Sequence, residues 1–168
     1  GFFCFKIVFP HTYPTYPPKV TFLTTDGRIR FNPNLYADGK VCLSILNTWS
    51  GPSWQPTMNL KSVLLSIQSL LNDHPLRNEP GFERESLESK RSKQYTKIIQ
   101  WYTWKYAIKH MLVIPPTPGL GDIINTIYVE RNQEYKALLD KLSKETTEKI
   151  RVNLWNQHAN IDYSNETM

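Results

Sequence analysis

Arg30-Phe31-Asn32-Pro33-Asn34-Leu35-Tyr36-Ala37-Asp38-Gly39-Lys40-Val41-Cys42-Leu43-Ser44-Ile45-Leu46 is the stretch that decides the fold. It lies in a longer run, Phe31 to Pro56, where no helical or strand period holds. Asn32-Pro33-Asn34, Asp38-Gly39 and Ser50-Gly51-Pro52 interrupt it. A long irregular segment inside a compact domain is usually functional or disordered. Val41, Leu43, Ile45, Leu46, Trp49 and Trp54 give this one enough apolar surface to pack, so function is the better reading. The tryptophan pair reads as loop packing in preference to a binding platform.

Upstream, Lys19 to Thr24 reads as a short strand with Val20, Phe22 and Leu23 as its apolar content, closed by the Asp26-Gly27 turn. His11 to Pro18 is proline-rich and extended. Phe2 to Phe9, aromatic and β-branched, reads as a buried strand, with Cys4 as a small buried hydrophobe in it. Downstream, Leu60, Val63, Leu64, Ile67, Leu70 and Leu71 share one helical face, and Asn59 stands where an N-cap belongs. After the polar segment Arg77–Lys93, Tyr95, Ile98, Ile99, Tyr102 and Tyr106 mark a second amphipathic helix, which Pro115-Pro116-Thr117-Pro118-Gly119 breaks. One further helix buries Leu120, Ile123, Ile124, Ile127, Tyr128, Tyr135, Leu138, Leu139 and Leu142. The tail after Trp155 has no period and is expected to fray. The boundary falls between Gly81 and Lys90, dividing the chain into 1–85 and a helical 86–168.

The chain has 168 residues, 40% hydrophobic and 21% charged, which describes a globular protein and not a disordered one. No apolar run approaches the roughly 20 residues that span a bilayer, so no membrane partner is expected. Gly1 to Pro10 lacks a basic leader and a cleavage site, a poor match to a signal peptide. Two cysteines and four histidines offer no disulfide scaffold and no zinc spacing, although one Cys4–Cys42 bridge is conceivable. A reducing compartment, cytoplasmic or nuclear, is the expectation. The net charge of +5 is dispersed except at Lys90-Arg91 with Lys93. That cluster reads as a solvated helix face and not a nucleic-acid site.

Tyr13-Pro14-Thr15-Tyr16-Pro17-Pro18-Lys19-Val20, Asn32-Pro33-Asn34, Gly39-Lys40-Val41-Cys42-Leu43, Trp54 and the Leu60–Leu71 helix, in that order and spacing, resemble the ubiquitin-conjugating (UBC) enzyme family. The core match runs from Gly1 to about Glu83. Arg30 to Asn34, Val41 to Leu46 and Asn78-Glu79-Pro80-Gly81-Phe82 are most like the Z-type branch, and the later helices resemble its C-terminal extension. The resemblance implies an α+β UBC fold with a partial catalytic core over 1–85 and a C-terminal helical extension over 86–168. In the family a helix and two strands precede the strand that Phe2–Phe9 resembles. The chain as written is therefore expected to lack them, to expose a strand edge, and to load poorly and aggregate.

The implied activity is acyl transfer by thioester. Cys42 accepts ubiquitin or a ubiquitin-like modifier from a ubiquitin-activating enzyme and passes it to a lysine of a substrate protein with the help of a ubiquitin ligase. No cofactor is needed, since ATP is consumed upstream. The Z-type resemblance implies the second ubiquitin-activating enzyme as donor and a two-domain ubiquitin-like modifier as one cargo. A thiol suits the task because a thioester is reactive toward amines and cysteine is nucleophilic near neutral pH. Asn34 fills the family's position for the amide that stabilises the oxyanion; bracing of the loop by its hydrogen bonds is the alternative. Glu79 aligns with an acidic group that positions the incoming lysine; a solvated loop carboxylate is the alternative. His74 reads as a polar surface residue. Asn34 and Cys42 are expected on one shallow groove without a metal or deep cofactor pocket.

The chain departs from the family at three places. Asn32 replaces a usual histidine, Ser44 a frequent aspartate, and Thr15 a usual aromatic ligase anchor, with Pro56-Thr57 at the second ligase-contact loop. Thr15 puts ordinary ligase docking in question. Two functional classes therefore stand: an active conjugating enzyme, and a catalytically weak UBC-fold module that binds ubiquitin or a ligase. The intact Cys42 and Asn34 favour the first.

Overall fold

The computed structural model describes residues 1–144, 147–164 and 166. Its architecture is α+β with few strands. Strands β1 (Phe5–Val8) and β2 (Lys19–Phe22) form an antiparallel hairpin in the register Phe5↔Phe22 to Val8↔Lys19. The strand expected over Phe2–Phe9 pairs over only these four residues. It is also half-buried and not buried: Phe5 packs on Phe22 with ring centroids 5.1 Å apart, while Lys6 and Val8 face solvent. The proline-rich connection contains a cis Tyr13–Pro14 bond. The Trp54 indole N–H ties it down by donating to the Pro14 carbonyl at 2.7 Å. The two tryptophans part ways here, Trp54 being buried and Trp49 exposed.

Asn59 caps helix α1 (Leu60–Leu70) reciprocally. Its side chain accepts from the Ser62 N–H, and the Ser62 hydroxyl accepts from the Asn59 N–H. Val63, Ile67 and Leu70, at positions i, i+4 and i+7, enter the first core with Phe22, Phe31, Leu35 and Val41. Each such side chain contributes about 1.5–3 kcal/mol when removed from water. Leu60, Leu64 and Leu71 stay exposed against expectation. Leu64 is turned about 100° from Val63 on a helix of this pitch, and Leu71 has left the helix, at φ −85°, ψ 69°.

A single 3₁₀ turn, Pro75–Asn78, precedes helix α2 (Lys90–Tyr102), which Ser89 caps. The amphipathic period predicts an ordinary helix onward to Tyr106. Instead the backbone widens into a π-helix over Thr103–His110 and closes with one α turn, α3 (Met111–Val113). The helix expected across 120–142 is two: α4 (Pro118–Glu130) and α5 (Asn132–Ser143), divided at Arg131. Of its predicted buried face only Ile124, Leu139 and Leu142 are buried, and Leu120, Ile123, Ile127 and Leu138 are exposed. Within α4 itself only Gly121 and Ile124 are buried, so the stripe of Leu120, Ile123 and Ile127 lies beside the face that meets the core.

The tail does not fray over its described part. Strands β3 (Glu148–Val152) and β4 (Gln157–Ile161) form a second antiparallel hairpin, with Val152 opposite Gln157. It packs on α2, and together with Leu76, Tyr95, Ile98 and Trp101 it builds a second core. Tyr102 touches both cores. Its hydroxyl donates to the His158 carbonyl at 3.2 Å, and its ring stacks on Tyr106, whose hydroxyl donates to Asp26.

Candidate active site around Cys42

The loop that carries Cys42 is seated against β2. The Phe22 N–H donates to the Gly39 carbonyl at 2.8 Å. Gly39 has φ +90°, and a Cβ there would lie 2.9 Å from the Phe22 carbonyl oxygen, so both its backbone shape and its close approach call for glycine. Residues 36 to 40 make a tight turn: the Tyr36 N–H bonds the Lys40 carbonyl at 2.9 Å and the Gly39 N–H the Tyr36 carbonyl at 3.0 Å. Leu35 then bridges Val41. This brings Asn34 and Cys42 side by side.

Their link is double. The Cys42 N–H donates to the Asn34 carbonyl at 2.8 Å, and the Asn34 side-chain amide donates to the Cys42 carbonyl at 2.7 Å. Turning that amide over would set oxygen against oxygen, so the donor orientation is fixed by its neighbour. Asn34 Oδ1 is buried and has no hydrogen-bond partner among the described residues. Bracing is thus observed directly. Nδ2 carries two N–H groups and one serves the brace, so the second remains chemically able to meet a developing negative charge.

Asn32 is fully buried and supports this arrangement. It donates to the Leu70 carbonyl at the end of α1 at 2.7 Å and accepts the Asn34 N–H at 3.0 Å. The expectation that an asparagine can still donate in place of histidine matches this bond. Asn78 donates to the same Leu70 carbonyl at 3.2 Å, which draws the loop after α1 toward the Asn32–Asn34 turn. On the other side of Cys42, the Thr48 hydroxyl donates to the Val41 carbonyl at 2.7 Å and accepts the Leu43 N–H at 3.0 Å.

Both cysteines are free thiols, so the conceivable bridge is not formed. Cys42 itself is only 1% exposed. Its thiol is enclosed in the resting fold and does not lie open on a groove. Cys4 is half-buried and not a core residue; burial pushes its thiol pKa up. Glu79 is partly buried, with its carboxylate 4.0 Å from the Arg30 guanidinium. His74 is exposed, as are Thr15, Pro56 and Thr57. Among the described residues no group of three His, Cys, Asp or Glu side chains is placed to hold a metal ion, and no helix is long and apolar enough to cross a membrane.

The sequence reading missed Arg30. Its guanidinium donates to the Pro33 carbonyl through Nε at 3.0 Å and through Nη2. It lies between two rings, 3.7 Å from the centroid of Tyr36 and 4.4 Å from that of Trp155. A signal was present. Arg30 stands between the apolar Ile29 and Phe31, and an arginine drawn into a core with its neighbours needs partners. Thr48 was missed as well, and nothing in its sequence context marks it.

A family model described as "Ubiquitin-conjugating enzyme" matches residues 1–103. Ubiquitin-conjugating enzyme E2 Z of Xenopus tropicalis is 51% identical over 113 residues, covering 67% of this chain and 36% of that protein. Probable ubiquitin-conjugating enzyme protein 17 of Caenorhabditis elegans is 42% identical over 156 residues, 86% of this chain and 21% of the relative. The dual E2 ubiquitin-conjugating enzyme/E3 ubiquitin-protein ligase BIRC6 of Homo sapiens is 42% identical over 146 residues, 82% of this chain and 3% of that protein. The chain therefore spans well under half the length of these relatives.

Proposed function

The chain belongs to the ubiquitin-conjugating enzyme family, and from that premise we propose that it carries ubiquitin or a ubiquitin-like modifier as a thioester on Cys42 and delivers it to a substrate lysine. In loading, the Cys42 thiolate attacks the thioester carbonyl presented by an activating enzyme, and that enzyme's thiolate leaves. In discharge, a lysine amine attacks the Cys42 thioester carbonyl. The oxyanion collapses to an amide, the Cys42 sulfur departs, and the amine loses a proton to solvent or a nearby base. Residues 1–85 serve as the catalytic part and 86–168 as an extension that supports it. A ligase would supply the substrate.

The observation that carries this reading is the double hydrogen bond between Asn34 and Cys42. It holds a neutral amide donor beside the residue whose acyl group is attacked, where one good donor is worth about 3 kcal/mol in the transition state. Glu79 is assigned a lesser part, since its carboxylate faces Arg30. Lysine positioning by Glu79 then requires that it leave this ion pair. The buried Cys42 thiol must likewise become uncovered before either step.

The test is charging with labelled modifier, ATP and an activating enzyme. The native chain forms an adduct that a reducing agent removes, and Cys42→Ser forms one that resists it. A reducible adduct that persists in Cys42→Ser would move the carrier to another residue. No adduct on the native chain would leave a binding module as the better description.

A further inference from the structure

We propose that Trp155 and Gln157, in the C-terminal hairpin, are positioning residues for Asn34, acting through Arg30; this rests on the role given to Asn34 above. The peptide unit from Pro33 to Asn34 is held at both ends. Its carbonyl end is held by the Arg30 guanidinium and its N–H end by Asn32 Oδ1 at 3.0 Å. A peptide is planar, so fixing both ends fixes the plane. The plane fixes the Asn34 N–Cα bond; the Cys42 N–H on the Asn34 carbonyl and the Asn34 amide on the Cys42 carbonyl restrain the remaining rotations, so a shift of the plane is passed on to the amide.

Arg30 is in turn fixed from far along the chain. Its N–H donates to Gln157 Oε1 and its carbonyl accepts from Gln157 Nε2, both at 3.2 Å, so one buried side chain imitates a strand pair. The Tyr95 hydroxyl donates to the same carbonyl at 3.1 Å. The guanidinium is stacked between Tyr36, which belongs to the Cys42 loop, and Trp155. The negative faces of the rings attract the guanidinium, more strongly where water is excluded.

Trp155 has φ +53° and Asn156 φ +52°. A bulky residue in the left-handed region is strained unless its surroundings compensate. Here the compensation is the seat of the indole, against Arg30 on one contact and Tyr95 at 5.6 Å on another. The turn of the hairpin thus holds an unfavourable backbone shape that delivers one ring to one cation. Positive φ at two successive residues is common in hairpin turns, where glycine or asparagine usually supplies it; here a tryptophan does so, and its ring meets the cation.

The experiment compares Trp155→Ala, Trp155→Phe and Arg30→Lys in the whole chain. The first readout needs no activity: the side-chain amide NMR signals of Asn34, identified by their loss in Asn34→Ala. The second is single-turnover discharge of the Cys42 thioester to free lysine, set against the loading rate. Trp155→Ala and Arg30→Lys are expected to shift the Asn34 amide signals and slow discharge about tenfold, since small misplacements at a reacting centre cost that much or more. Loading stays near the native rate, and Trp155→Phe, which keeps a ring over the cation, recovers most of the loss. In an Asn34→Ala background Trp155→Ala adds no further slowing.

Unchanged Asn34 signals in Trp155→Ala overturn the inference whatever the activity. So does an equal fall in loading and discharge, or an additive loss in the Asn34→Ala background, because both mark general destabilisation. If the native chain cannot be loaded, the proposed function fails, and the Asn34 signals alone then decide the clamp.

Discussion

Asn32→Ala removes the buried side chain that joins α1 to the Asn34 turn. Two bonds vanish: the donation to the Leu70 carbonyl at 2.7 Å and the acceptance of the Asn34 N–H at 3.0 Å. The Leu70 carbonyl keeps Asn78 at 3.2 Å, so losing the donor costs only the net value of one bond, about 1 kcal/mol. The Asn34 N–H is left with no acceptor in a partly buried place, at about 1–2 kcal/mol. The sum is about 2–3 kcal/mol. At roughly 2–4 °C per kcal/mol for a chain of this size, the melting temperature falls by about 4–12 °C. Thermal denaturation followed by far-ultraviolet circular dichroism measures it, with Asn125→Ala on the exposed side of α4 as the reference. A surface change of that kind stays within about 0.5 kcal/mol. If the two variants melt together, Asn32 is not holding the turn, and the route from α1 to the site drawn above is wrong.

Asn34→Ala should slow discharge to lysine far more than it slows loading, by about 100-fold or more if the amide meets the oxyanion; equal discharge rates would leave Asn34 as a brace alone. Tyr95 gives a pH prediction. Burial pushes its phenol pKa far above the ordinary value, with the Arg30 charge opposing and Glu79 reinforcing the shift. The unfolded chain ionises this group near pH 10 while the fold keeps the proton, so the unfolded state binds fewer protons and stability falls as pH rises above about 10. Urea titrations at pH 8 and at alkaline pH should show that slope, and it should lessen in Tyr95→Phe.

What was legible in the sequence was what local rules encode. Asn59 followed by Val63, Ile67 and Leu70 states a capped helix almost without context. The spacing of Asn34, Gly39 and Cys42 named the loop whose geometry the structure then displays. The second hairpin was hidden for physical reasons. Its turn places Trp155 and Asn156 at positive φ, where glycine would have announced a turn. Its buried positions include Gln157 and Ala159, which break an apolar count even though the alternation of burial is regular. The division at Arg131 has no glycine or proline from 122 onward to mark it. The π-helix over 103–110 leaves the apolar spacing of Trp101, Trp104 and Ile108 looking like an ordinary helix. Within the candidate site, the resemblance pointed to Cys42 and Asn34, which the structure places side by side. Arg30 showed only the weak signal of its apolar neighbours, since four of its partners, Glu79, Tyr95, Trp155 and Gln157, lie 49, 65, 125 and 127 positions away.

The enclosure of Cys42 has a chemical corollary for the idle protein. Oxidation of a thiol to sulfenic acid, and onward to forms that cannot be reversed, follows exposure as much as thiolate character. Of the two thiols, the half-buried Cys4 is the one that peroxide or oxidised glutathione meets first, while Cys42 is 1% exposed and shielded from both. The same burial meters any large electrophile: it reacts only during the fraction of time the thiol is uncovered, and its apparent rate is scaled down by that fraction. Any partner that binds the uncovered state better than the buried one would therefore act as an accelerator without touching the sulfur.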